Sequence, residues 1–243
     1  MAWIMSITMI TTIRTTRNKL VLANVSWFMT PYLPHPIEKK SYDIIDALID
    51  LSAYPESHRE IFKRVIHTTG DVDFIKGLTI SDRAIECGVK AIRGKALIWT
   101  DVTMVQTGLK RSLVEQWGLE SACFIHDPET FQKAQEDKTT RAVAGLRRLA
   151  EKKINSPLIL VIGDAPTALL EAVKLTSNND LKVDLIIGIP VGFVGTEESK
   201  TALSQQLETP YITNSGTRGG STVAASIFNA LMIWSLKEKE FTP

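Results

Sequence analysis

Hydrophobic and polar positions follow two different rhythms in this chain, and the change comes near Gly94. Before it the spacing is helical. Residues 37–51 place Ile44, Ile45 and Leu48 on one face, with Ser41 one turn earlier on that same face. Ser57 followed by Glu60 has the form of a capping box and predicts a helix that ends near Gly70. On that helix Ile61, Phe62, Val65, Ile66 and Thr69 share one side, while Glu60, Lys63, Arg64 and His67 share the other. A third helix is predicted over 81–94, capped by Ser81 or Asp82.

After Gly94, short continuous apolar runs alternate with helical patterns. Residues 96–100, 122–125, 158–162, 183–189 and 211–213 read as strands. Helices are predicted near 102–109 and over 139–153, 166–175, 197–207 and 221–236, and Asp101 and Asp127-Pro128 read as turns. Continuous apolar strands separated by helices predict a single-domain α/β protein, a Rossmann-like, mainly parallel sheet of about five strands with helices on both faces. The last helix carries Ile227, Phe228, Leu231, Met232, Ile233 and Trp234 beside small residues, more apolar surface than one sheet face needs. It is therefore expected in or next to the interface of a two-fold dimer.

The first 28 residues stand apart. They contain Arg14, Arg17 and Lys19 but no acid, the first carboxylate being Glu38. The apolar stretch precedes the basic residues, the reverse of a secretory signal, and is too short to span a bilayer. A transit peptide fits this composition. So does an extension that is disordered or not part of the native chain, and residues 29–243 are read as the folded domain, with Met29 as a plausible start. A net charge of +1 gives no reason to expect a nucleic-acid or membrane partner. Cys87 and Cys123, far apart and outside any Cys/His cluster, fit a reducing compartment, hence the cytoplasm, and no structural zinc.

In a parallel sheet ligands bind beyond the carboxyl ends of the strands. Three glycine-bearing segments fall there: Gly163-Asp164-Ala165-Pro166-Thr167, the run from Pro190 to Gly195, and Gly216-Thr217-Arg218-Gly219-Gly220-Ser221. Each alone is ordinary turn chemistry. Converging on one edge, they offer backbone N–H groups at helix starts and one arginine, Arg218, all suited to an anionic ligand. No dinucleotide or P-loop fingerprint is present, which weighs against a nucleotide-dependent enzyme. His67 can move a proton near neutral pH. A lone histidine is more often a surface or capping residue than a catalyst, and the pattern leaves both readings open.

The chain resembles the precorrin-8X (cobalt-precorrin-8) methylmutases of corrin-ring biosynthesis. The resemblance is carried by Lys40-Ser41-Tyr42-Asp43-Ile44-Ile45, Arg64-Val65-Ile66-His67, Asp101 with Met104, Thr140-Arg141, the segment from Gly163 to Leu169, the segment from Pro190 to Lys200, and Arg218-Gly219-Gly220-Ser221. It implies an isomerase that moves a methyl group from carbon 11 to carbon 12 of a tetrapyrrole macrocycle, without cofactor or metal. It implies His67 as the proton donor and acceptor, Ser41 and Arg64 as substrate contacts, and a homodimer with its site near the subunit interface. Arg141 and Arg218 join the expected substrate-binding set, because the corrinoid carries many acetate and propionate carboxylates. A non-catalytic tetrapyrrole carrier on the same fold is the alternative; it would keep the loops but would not need His67. If residues 1–28 lie outside the fold, the chain shortened to begin at Met29 will melt at the temperature of the full chain. A large drop would place that segment on the core.

Overall fold

The computed structural model describes residues 32–206 and 208–239, so the expected extension over 1–28 lies outside the described residues. α1 (Pro36–Leu48) opens on a proline, with His35 as its N-cap accepting from the Ile37 N–H. α2 (Glu56–Thr69) buries Ile61, Phe62, Val65 and Ile66, as its wheel predicts, and ends at left-handed Gly70. Its N-cap is Pro55 rather than Ser57, because the proline already holds the φ of −54° from which the helix starts.

A 3-10 turn, Val72–Gly77, leads into β1 (Leu78–Ile80), which the sequence reading missed. Three residues between Gly77 and Ser81 are too few to display a period of two. α3 (Ala84–Arg93) follows left-handed Arg83 without a side-chain cap. Ser81 is not its cap because the Ser81 hydroxyl accepts from the Tyr211 N–H at 2.7 Å, stitching the end of β1 to the next strand of the sheet.

The alternation then proceeds through β2 (Leu97–Thr100), α4 (Thr103–Gly108), α5 (Arg111–Trp117), β3 (Glu120–Ala122), α6 (Pro128–Glu136), α7 (Arg141–Ala150), β4 (Leu158–Ile162) and α8 (Pro166–Ser177). It closes with β5 (Leu185–Gly188), α9 (Thr196–Gln205), β6 (Tyr211–Asn214) and α10 (Ser221–Lys239). α5 and α6 were not anticipated. Asp127-Pro128, read as a turn, opens α6, where proline suits the first helical position.

The sheet has six strands in the order β1-β6-β5-β4-β2-β3, all parallel except β1, which runs antiparallel to β6. The expectation of about five strands is corrected by that one short strand. One face packs Trp99, Leu160, Ile162 and Ile186 against Leu146, Leu169 and Leu203 of α7, α8 and α9. α10 crosses the other face over β4 and β5 and packs on α2, α3 and α4. It comes very close. A Cβ on Gly163 would lie 2.8 Å from the Ser221 Cα, and one on Gly108 would lie 2.8 Å from the Ala225 Cβ. The small residues of α10 thus serve contacts inside the subunit, and Ile227, Phe228, Leu231 and Met232 are buried there, so this apolar surface is used within the subunit. Exposed apolar side chains lie elsewhere: Ile37, Ile44 and Leu48 on α1, and Phe193 and Val194 after β5. No helix among the described residues is long and apolar enough to cross a membrane.

Among the parallel strands the winding direction reverses between β2 and β4, the crevice where doubly wound sheets usually seat a ligand. Here it is filled from within. Asp101, 1% exposed, accepts from the backbone N–H groups of Gly163 (3.1 Å), Asp164 (2.8 Å) and Ala165 (2.7 Å). Asp101, in the bend between β2 and α4, is thus also an internal cap, and these N–H groups are not offered to a ligand as the sequence suggested. Burial pushes the Asp101 carboxyl upward, while the three N–H groups favour its ionised form. Hydrogen bonds to a charged acceptor contribute about 1.5–3 kcal/mol. Asp101→Asn is expected to lower unfolding free energy by about 2–3 kcal/mol in denaturant titration. An unchanged midpoint would mean that the cap adds no net stability.

Candidate active site

β1 determines where α2 ends. Its register pairs Leu78 with Asn214, the last residue of β6, so the start of β1 lies at the carboxyl edge of the parallel sheet. The Ser215 N–H donates to the Gly77 carbonyl at 2.9 Å and extends that pairing by one step. A Cβ on Gly77 would fall 2.7 Å from Ser215 Oγ, so a larger residue there would require the serine side chain to turn away. Chain reversal through the 3-10 turn then sets the last turn of α2, with His67, at the same edge.

His67 is exposed, and its Nδ1 forms a 2.8 Å hydrogen bond with Ser41 Oγ of α1. When the hydroxyl donates, the ring proton sits on Nε2, the nitrogen then left for exchange with a ligand. The Tyr42 ring stands edge-on to the imidazole, with centroids 5.9 Å apart. Ile37, Ser41, Ile44, Ile66 and His67 line an open groove of about 310 Å³. The face of α1 on which Ser41 lies is therefore not a core face: Ile45 is buried, but Ile44 and Leu48 remain 51% and 66% exposed.

Arg64, expected to face a substrate, is held by the protein. It donates to Glu38 Oε1 at 2.6 Å, and its guanidinium lies 5.4 Å from the Tyr42 ring centre. The Tyr32 hydroxyl donates to both Glu38 oxygens and accepts from Lys110. Burial works to raise the Glu38 carboxyl, but Arg64 and Tyr32 outweigh it and hold the group below the ordinary carboxylate range. Burial raises the Tyr42 phenol, which stays neutral. The pair clamps α1 to α2, and so Ser41 to His67. Arg64 Nε is buried with no partner, one donor in reserve.

Arg218 reaches this end of α2 from the loop after β6. It pairs with Asp71, just past Gly70, and its guanidinium lies 4.8 Å from the Phe74 ring centre. The loop is seated by the Gly192 N–H donating to the Thr217 carbonyl and the Gly220 N–H donating to the Ile189 carbonyl. Arg141 stands apart. It is exposed at the start of α7, 4.8 Å over the Phe131 ring, and its neighbour Thr140 meets Thr167 of α8 at 2.9 Å. The fold thus brings Ser41, Arg64 and His67 together and sets Arg218 on Asp71 and Phe74 just past the end of α2, while no contact joins Arg141 to that group.

Glu38, Tyr42 and Asp71 were not singled out from the sequence. Glu38 and Tyr42 share a face of α1 with Ser41, which a wheel would have revealed, but the partner of Glu38 lies on another helix and left no local trace. Chemically, the arrangement offers a histidine beside an apolar groove with arginines around it. It can exchange a proton with a flat conjugated ligand that carries carboxylates.

Comparison with known proteins gives a consistent picture. The family profile described as precorrin-8X methylmutase matches residues 36–234. The chain is 38% identical over 205 residues to the cobalt-precorrin-8 methylmutase of Salmonella typhimurium, covering 82% of this chain and 94% of that protein. It is 35% identical over 209 residues to that of Leptospira interrogans, covering 84% and 95%. The crystal structure of a precorrin-8x methyl mutase from Thermus thermophilus superposes with a TM-score of 0.76 at 31% identity, covering 83% of this chain and 96% of that one.

Proposed function

The chain belongs to the precorrin-8X methylmutase family, and from that premise we propose that it is an isomerase of cobalamin biosynthesis. It moves a methyl group from carbon 11 to carbon 12 of precorrin-8X or cobalt-precorrin-8. The observation that carries this reading is the Ser41–His67 hydrogen bond at the rim of the apolar groove. A sigmatropic methyl shift needs a proton placed on the conjugated ring to favour one tautomer, not a nucleophile. His67 supplies that proton and takes it back after the methyl has moved, so the enzyme returns to its starting state. Ser41 fixes the tautomer. Apolar side chains of α1 receive the ring and Arg218 meets its carboxylates; Arg64 would join it only on release from Glu38, and Arg141 only from outside this group. The cytoplasm is the location that the proposal carries, supported by two free thiols, Cys87 and Cys123, which suit a reducing compartment. The catalytic domain is assigned to residues 29–243, with 1–28 as an extension.

His67→Asn keeps the size of the side chain and removes its titration. General acid catalysis supplies ~10²–10⁴-fold. Turnover followed in the visible spectrum is expected to fall by about that factor while affinity for the corrinoid product is kept. Wild-type turnover in this variant would reject the histidine as the proton donor, whereas product binding without any turnover by the unmodified chain would favour a carrier.

A homodimer completes the proposal, with a second copy closing over the groove that Ile37, Ile44 and Leu48 line, so that the ring lies between the two subunits. Sedimentation at micromolar concentration is expected to give twice the monomer mass, and Ile44→Glu is expected to shift it toward monomer. A clean wild-type monomer would remove both the dimer and a site shared between subunits.

A further inference from the structure

Lys200 lies in α9, remote from His67 in sequence, and is 2% exposed. A buried ammonium must find acceptors. This one donates to two backbone carbonyls of a single loop, Gly216 at 2.9 Å and Arg218 at 2.5 Å. Asn214, the last residue of β6, donates to the same Arg218 carbonyl at 2.7 Å and to that of Ser215 at 3.1 Å. Burial pushes the Lys200 amine down to about 8, with Glu197 on its own helix opposing the shift.

The loop has little freedom to settle elsewhere. Gly216 and Gly220 sit at φ of 74° and 123°. A Cβ on Gly219 would meet the Ile189 and Pro190 carbonyl oxygens at 2.5 Å, so the backbone passes directly over the end of β5. The carbonyl that Lys200 and Asn214 both grip belongs to Arg218 itself. The side chain of that residue leaves in the other direction, to Asp71 and Phe74 beside the His67 end of α2.

We propose that Lys200 is the positioning residue for Arg218: from inside α9 it gathers the loop carbonyls and fixes the conformation in which the guanidinium reaches the edge of the active site. Without the ammonium, the Gly216 carbonyl loses its donor, the Arg218 carbonyl keeps only Asn214, and the loop samples conformations in which the guanidinium points elsewhere. The expected effect on ligand affinity rests on the proposed reading of Arg218 as a carboxylate clamp; the effect on the loop does not.

The test uses the full chain with Lys200→Met, Arg218→Ala and the double variant, with Lys200→Gln, which keeps one donor, should the methionine variant fail to fold. Hydrogen exchange reads the loop directly. Amides of 215–220 are expected to exchange at least tenfold faster in Lys200→Met while those of β4 and β5 keep their rates. Titration with hydrogenobyrinate and with cobyrinate reads the consequence. Lys200→Met and Arg218→Ala should each weaken binding roughly tenfold, KM should rise with kcat little changed, and the double variant should bind no worse than Arg218→Ala alone. Additive losses, or unchanged loop exchange, would overturn the proposal. If Arg218→Ala binds both corrinoids like wild type, the clamp reading fails, and loop exchange alone decides for or against Lys200.

Discussion

The antiparallel pairing of β1 with β6 is the constraint on which the site depends. Every other strand of the sheet is parallel and would send its following chain away over a covering helix. β1 instead runs against β6, so its first residue rather than its last lies at the carboxyl edge. The turn before it, the end of α2 and His67 are carried to that edge as a result. The Ser81 hydroxyl on the Tyr211 amide holds one end of this pairing and Ser215 on Gly77 holds the other. Three residues of strand thus do what no helix in the first third of the chain could do alone.

A second consequence concerns the crevice that was passed over. The reversal between β2 and β4 is where the topology favours a ligand, yet Asp101 caps the N–H groups of Gly163, Asp164 and Ala165. With those donors satisfied internally, this loop offers no free N–H groups to an anion. The two arginines at the other end of the edge are themselves oriented by the protein, Arg64 by Glu38 and Arg218 by its loop and Asp71.

Much of this was legible in the sequence, and the limits have physical causes. β2, β4, β5 and β6 announce themselves as continuous apolar runs because both faces of the sheet are covered. The wheel of α2 separates its buried side from Arg64 and His67, and the structure keeps that division. α1 was harder. Its apolar stripe looks like any core stripe, and nothing local tells that only Ile45 is buried while Ile44 and Leu48 face outward. β1 was invisible because three residues show no period, and the excess of apolar surface on α10 is taken up by the helices it crosses, a packing no local pattern displays. At the site, His67 and Ser41 stood in short motifs, whereas the ion pairs that hold Arg64 and Arg218 join residues far apart along the chain and could be read only from the fold.

The placement of β1 also bears on how the protein is made. β1 has one neighbour in the sheet, β6, and β6 is the last strand to leave the ribosome. Helices α1 and α2 emerge first, carrying the histidine, but the strand that seats them has nothing to pair with until nearly the whole chain has been synthesised. Contacts of such long range form late and slow folding. The edge that carries His67 is therefore assembled at the end of synthesis, and a truncated nascent chain, although it already contains the histidine, lacks the strand that seats it.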